Sequence, residues 1–357
     1  MSTALKENIP LLLNTLIALA VGFLIGAVLM ALGGYNPFIA YASLFQTSLN
    51  LGDPYYTAMT LSYATPLMLT GLTFAVSMRA GIFNIGAEGQ VYMGALGAVI
   101  VASMSLPGYL YLPLAVILGS ALGALWGLIA GVLKAWRNIN EVVSTIMLNW
   151  IAFWIVEYAR VYVYYNPKSP DKTISMPPEG RLPLLFKGTE LSFSLIIALI
   201  AVILTFIVLW YTRLGYSIRV SGYSLRSARY AGIDPRLQIL YVFVIGGVLS
   251  GLAGVLEIAG RPPEYAITTG ASNIVGLGFS GITVALLGWN HPILIILSSV
   301  IIGMLTAGSR GMQITANVPL EMVKAVQGII VISLAVPIAS YIVRRMRVKE
   351  SLRGEEA

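Results

Sequence analysis

The sequence predicts an all-α, polytopic membrane protein of about ten transmembrane helices, a multi-pass protein of the cell membrane. Of its 357 residues, 57% are hydrophobic and 10% charged, with a mean hydropathy of +0.83, whereas soluble domains carry roughly 25% charged residues. Apolar windows of about 20 residues, the length that crosses a hydrocarbon core, recur along the whole chain. Lysine and arginine collect on alternate connections. This composition excludes an ordinary cytosolic enzyme, a nucleic-acid-binding protein and a disordered chain.

The first apolar run, 9–32, follows Met1–Asn8 with no small-residue cleavage pattern and reads as an uncleaved first span. Residues 33–55 form an outer interfacial segment, with a short helix expected around Tyr41 to Phe45. Further spans are expected at 56–78, 85–104, 110–133 and 142–163, with an external, Pro-rich polar loop at 164–190. Spans at 191–211, 237–259, 274–289, 292–308 and 320–343 complete the set, with a cytosolic coupling loop at 213–236. Residues 1–343 make one transmembrane domain and 344–357 a cytosolic tail. With both termini in the cytosol, 14 of the 22 Lys and Arg residues lie inside, six outside and two within spans, as the positive-inside bias requires. Each long segment, 33–55 and 164–190, reads equally as a docking surface or as a solvated connector.

A weak internal repeat runs through the chain. Asn84-Ile85 and Asn273-Ile274 are each followed by a Gly-rich run, then by Pro113 or Pro292 opening an apolar span. Repeats with interrupted, Gly-rich helices are a transporter signature.

The polar groups within this pattern are few. Asn84, Glu88 and Gln90 sit where the third span begins, among Gly81, Gly86, Gly89, Gly94 and Gly97. A membrane acid faces a cavity or a partner, so the segment is either a broken helix at the translocation gate or a buried Glu capping a helix N-terminus. Glu141, Thr145 and Asn149 fall on one face of the fifth span and line a path or pair with a neighbouring helix. Gly119, Gly123, Gly127 and Gly131 share one face of the fourth span, a helix-packing pattern repeated by Gly247, Gly251 and Gly254. Glu157 with Arg160, and Glu321 with Lys324, are spaced for local ion pairs.

The coupling loop carries a helix at 224–231. Ser221 or Ser224 can cap its start, Gly232 suits the left-handed position after its end, and Asp234-Pro235 opens the next span. A helix marked at both ends between two spans suits a cytosolic partner. The chain has no cysteine and one histidine, His291, which speaks against disulfides, a multi-histidine metal site and catalytic triads, so neither a catalytic residue nor a metal ligand is assigned. It has no Walker A, HExxH or GxSxG pattern and cannot hydrolyse ATP by itself.

The segment FNIGAEGQVYMGA at 83–95 resembles the hallmark segment of nucleoside-type ABC importer permeases, within the wider group of ribose-type and branched-chain amino acid permeases. NEVVSTIMLN at 140–149 is similar to their fifth-span signature, and Val318 through Gly328 to their last span. GYSLRSARYAGI at 222–233 resembles their coupling-helix motif, with Ser224 in place of Asn and Ser227 in place of the first Ala. The resemblance covers residues 55–345, and the N-terminal region is similar to the longer of the two permeases such systems encode. It implies a type II-like, non-catalytic permease translocating nucleosides, purine nucleosides above all. Its partners would be a second permease, commonly a paralogue, and cytosolic ABC ATPases that bind ATP and Mg. An external substrate-binding lipoprotein would deliver the nucleoside, and no nucleic acid is involved. Asn84, Glu88 and Asn149 would lie at the path or gate, and Gly222, Ser224, Ala228, Ala231 and Gly232 would build the coupling helix. The alternatives are an ABC permease for a simple sugar such as ribose and, in another class, an ion-coupled secondary transporter.

Overall fold

The computed structural model describes residues 2–50 and 52–335, with the backbone alone for 2–16, 225 and 334–335. Its helices are α1 (Ser2–Leu32), α2 (Pro37–Gln46), α3 (Pro54–Arg79), α4 (Ala87–Ala102), α5 (Tyr111–Arg137), α6 (Glu141–Tyr158), α7 (Ser194–Tyr211), α8 (Arg213–Tyr223), α9 (Leu225–Tyr230), α10 (Pro235–Gly260), α11 (Leu277–Leu287), α12 (Pro292–Thr315) and α13 (Leu320–Ala335). Among the described residues β-structure is limited to isolated bridges. The fold is therefore all-α, and α3, α5, α6, α7, α10 and α12 are each long and apolar enough to cross a membrane alone. The part of the last expected span beyond 335, and the 344–357 tail, lie outside the described residues.

The chain divides into two compact units, residues 1–50 with 305–357, and residues 51–304. In the first, α1 packs on α13, where Gly26 abuts Val326. Helix α2 starts at Pro37 because Asn36 Oδ1 accepts from Phe38 N at 3.0 Å and Ile39 N at 3.3 Å. Tyr41 then donates to Phe23 O at 2.7 Å, tying α2 to α1. Glu321 and Lys324, expected to pair, are both exposed with no ion pair between them. Water offers both charges more than a pair held by two long side chains.

The core of the second unit is a close bundle of α3, α4, α5 and α10. The glycine face of α5 meets α10 and α4 backbone to backbone: a Cβ on Gly123 would lie 2.7 Å from Gly251 Cα, and one on Gly97 would lie 2.6 Å from Gly119 Cα. Helix α6 leans on α5 through Trp126, which donates to Leu148 O at 3.3 Å, and through the Lys134–Glu141 ion pair at 2.8 Å.

Three elements differ from the sequence expectation. The span expected at 274–289 contracts to the 11 residues of α11, about 17 Å at 1.5 Å per residue. Gly276 at φ +85° precedes it, and Trp289 and Asn290 at φ +54° and +52° follow it, so the helix cannot extend either way. The coupling loop holds a second helix, α8, capped by Thr212, whose Oγ1 accepts from Gly215 N at 3.2 Å. The loop 164–190 is clasped to the segment after α10: Thr173 N donates to Ile267 O at 3.0 Å, Met176 N to Tyr265 O at 2.7 Å, and Met176 is fully buried. The Glu157–Arg160 pair forms at 2.7 Å and reaches the same clasp, through Pro170 O and Gly270 N.

Candidate functional site

Two features of the second unit carry functional geometry: the junction of the short helices α4 and α11, and the surface around α9.

The chain leaves α3 at Arg79, turns at Gly81 (φ +72°) and enters α4 only at Ala87. Residues 82–86 are irregular backbone between two apolar helices, and such backbone within a membrane is tolerated only where protein or water satisfies its polar groups. The chain supplies those partners itself. Asn84 Oδ1 accepts from Gly86 N at 2.8 Å. Asn149 reaches across from α6: its Oδ1 accepts from Gly89 N at 2.8 Å and its Nδ2 donates to Ile85 O at 3.0 Å. Thr145, one turn earlier on the same stripe, bonds back to Glu141 O at 2.7 Å.

Glu88 faces the opposite way, into the start of α11. Its Oε1 accepts from Gly276 N at 2.5 Å and from the Tyr92 hydroxyl at 2.7 Å, and its Oε2 accepts from Gly278 N at 2.7 Å and Phe279 N at 3.3 Å. The N-termini of α4 and α11 thus meet head to head, so closely that a Cβ on Gly278 would lie 2.5 Å from Glu88 Cα. This buried acid is stabilised by the orphan amides and positive end of a helix that has no side-chain cap of its own. Thr70 of α3 adds a bond to Leu277 O at 3.0 Å. The second member of the sequence repeat behaves differently: Asn273 bonds Thr268 and Ala266 O, within its own loop. With no acid of its own at this position, α11 takes the one from α4.

Asn84, Glu88 and Asn149 are all buried within the chain, so none faces an open path in this conformation. Each holds backbone. Two polar atoms beside them, Asn84 Nδ2 and Gln90 Oε1, are buried without a hydrogen-bond partner.

The second feature is α9. Ser224 Oγ accepts from Ser227 N at 3.2 Å to start it, and Gly232 at φ +75° ends it, with Ile233 N closing onto Ala228 O at 2.9 Å. Asp234 Oδ1 accepts from Arg236 N at 2.9 Å and Pro235 opens α10. Ala228 is fully buried, so it seats the helix on its own unit. The outward face consists of Arg226, Ser227, Arg229 and Tyr230, the last 94% exposed. The motif carries Ala228, the inward residue; the outward face follows from the charges at 226 and 229 on a helical wheel. Gly222 lies against the end of α3, where a Cβ would sit 2.9 Å from Arg79 C and 3.1 Å from Ala80 C. The α8–α9 region therefore bears on the backbone that leads into Asn84 and Glu88.

The family described as "Branched-chain amino acid transport system / permease component" matches residues 56–335. The chain is 36% identical to the guanosine ABC transporter permease protein NupP of Bacillus subtilis, over 96% of this chain and 97% of that one. It is 35% identical to the nucleoside ABC transporter permease protein NupB of Lactococcus lactis, over 90% of each chain. It is 32% identical to the glucose ABC transporter permease protein TsgB13 of Haloferax volcanii, over 97% of this chain and 91% of that one. The first two bacteria each hold a second, more distant permease relative of this chain.

Proposed function

The chain belongs to the permease-component family of branched-chain amino acid transport systems, and we propose that this ABC permease subunit carries nucleosides, purine nucleosides above all, inward across the cell membrane. The observation that carries this reading is its similarity, over nearly its whole length, to the guanosine and nucleoside permeases. The Haloferax relative favours a second reading, a simple sugar such as glucose or ribose.

The chemistry suits a neutral, hydroxyl-rich cargo. Asn84 and Asn149, which hold backbone in this conformation, would offer donors and acceptors without net charge once the gate opens, and affinity is left to an external binding lipoprotein. A paralogous permease completes the path, and cytosolic ATPases that hold ATP and Mg dock on the exposed face of α9. In this reading Asn84, Glu88 and Asn149 form a latch at the gate. Movement of α9 reaches it through Gly222 and the Arg79–Gly81 turn, and the partnerless Asn84 Nδ2 and Gln90 Oε1 find partners in the alternate state.

Vesicles containing this chain, its second permease and the ATPase, supplied with the binding protein, should take up labelled guanosine and adenosine only with ATP. Uptake of glucose or ribose without nucleoside would establish the second reading in its place. Uptake that needs no ATPase would remove both.

Topology has its own test. We place both termini and the 213–236 loop in the cytosol, and 164–190 outside. The chain lacks cysteine, so Lys168→Cys in the 164–190 loop and Ser227→Cys in α9, both at exposed positions, give clean single labels. In intact cells an impermeant maleimide should modify the first and spare the second. The opposite pattern inverts the topology.

A further inference from the structure

Where α8 passes the end of α3, Met78, Arg79, Arg219, Gly222 and Tyr223 enclose a cleft of about 160 Å³. Trp210 lies between its two cations, its ring centre 5.3 Å from Arg79 Cζ and 5.7 Å from Arg219 Cζ. The Arg79 guanidinium is fixed in place, with Nε donating to Asn290 O at 3.0 Å and Nη2 to Trp289 O at 3.3 Å. Those two bonds serve the left-handed turn between α11 and α12 and leave Nη1 over. Among the described residues the Arg219 side chain has no hydrogen-bond acceptor, and its Nη1 is buried without a partner. Among the described residues neither arginine has an ion pair. His291, its ring tilted 54° to that of Trp210 at 4.8 Å, does not change the balance. Burial, and then Arg79, hold its imidazole below the ordinary value, against the charged form.

Two guanidinium groups thus share a small cleft with no carboxylate, and one of them has a buried N–H that nothing accepts. Such an arrangement is costly unless an anion completes it. The planar fork of arginine matches a phosphate better than a halide or a lone carbonyl. The surroundings indicate where the phosphate comes from. Helix α7, whose Trp210 lies against both arginines, leaves Ile200, Ile203, Leu204 and Ile207 exposed up to Tyr211, and Tyr223, which lines the cleft, is exposed. An apolar helix face that ends in tyrosine and tryptophan marks the boundary between acyl chains and headgroups, and basic pockets at that level suit anionic headgroups.

We propose that this cleft is a binding site for the phosphate group of an acidic phospholipid, held by Arg219 and Arg79 with the acyl chains along α7. The bound lipid would fill the space between α8 and the end of α3, the same contact through which α9 bears on the gate. The inference rests on the membrane placement of the chain and not on what it transports.

The test uses the assembled transporter in nanodiscs of phosphatidylcholine with or without phosphatidylglycerol, followed by graded delipidation and native mass spectrometry. Wild type should retain phosphatidylglycerol in preference to phosphatidylcholine. Arg219→Gln should retain it about tenfold less tightly, the loss expected for one charge-assisted contact. Arg219→Lys should fall between, and Arg213→Gln, exposed outside the cleft, should behave as wild type. Arg79 is left intact because it also holds the α11–α12 turn. Equal retention by Arg219→Gln and wild type overturns the proposal. So does a phosphate adduct in lipid-free samples that Arg219→Gln abolishes without any phosphatidylglycerol preference, which would make soluble phosphate the ligand. Loss of the ATPase from Arg219→Gln with lipid retention unchanged also overturns it, in favour of a partner carboxylate.

Discussion

Replacing Glu88 by leucine should cost more stability than any other single substitution at the gate, and abolish transport. The carboxylate accepts from three backbone amides at the start of α11 and from Tyr92. Leucine fits the volume but orphans all four donors in a site that is 1% exposed. Each buried orphan costs about 1–3 kcal/mol, so the sum exceeds the roughly 1 kcal/mol typical of a point substitution several times over. Glutamine separates geometry from charge. Taken from sequence, Glu88→Gln is expected to be mild because the amide keeps an acceptor. The structure raises that expectation, since both oxygens are in use. With its oxygen toward Gly278 and Phe279 and its NH₂ toward the Tyr92 hydroxyl, glutamine still leaves Gly276 N–H without a partner, a cost of about 1–3 kcal/mol. The order wild type, Gln, Leu should therefore appear in the melting temperature of the assembled complex and in ATP-dependent uptake. A leucine variant with the wild-type melting temperature and rate would remove Glu88 from the latch.

Replacing Gly94 by alanine should be nearly as damaging, although alanine is the better helix former. A Cβ at Gly94 would lie 2.5 Å from Gly251 Cα and 2.6 Å from Gly251 C. The obstacle is backbone, so α4 and α10 must separate. Overpacking of this kind costs about 1–3 kcal/mol, and here it also undoes the close approach that small residues give helices in a membrane. Valine should be worse than alanine, and Gly251→Ala should give the same phenotype from the other side. Gly328 is the control. It lies within α13 with nothing within 4 Å of its would-be Cβ, so Gly328→Ala should be neutral or slightly stabilising, since alanine is favoured over glycine in a helix by about 1 kcal/mol. Thermal unfolding of the four variants in one detergent checks the contrast. Gly94→Ala melting with wild type would mean that the α4–α10 contact is looser than drawn.

Much of this protein was legible in its sequence because the bilayer allows few solutions. Backbone groups in hydrocarbon must be satisfied within the segment, so apolar runs had to become helices. Capping residues act within a few residues of themselves, which is why Ser224 and Asp234 could be read locally, and why Gly232 marked the end of α9; the Asn36 cap of α2 and the Asn140 cap of α6 came only with the structure. Packing by Gly119, Gly123, Gly127 and Gly131 was visible as a period, and family membership was carried by contiguous motifs. Tertiary structure decided what each polar group does. No local signal says that Glu88 caps α11, 188 residues away along the chain, that Asn149 completes the entry of α4, or that Ala228 turns inward while Tyr230 turns out. Nor could α11 be cut to its true length before Gly276, Trp289 and Asn290 took left-handed conformations. Hydrophobic transfer and capping are properties of a segment and its neighbours. The partner of a buried donor or acceptor depends on which distant backbone the fold brings within 3 Å, and only the packed structure supplies that.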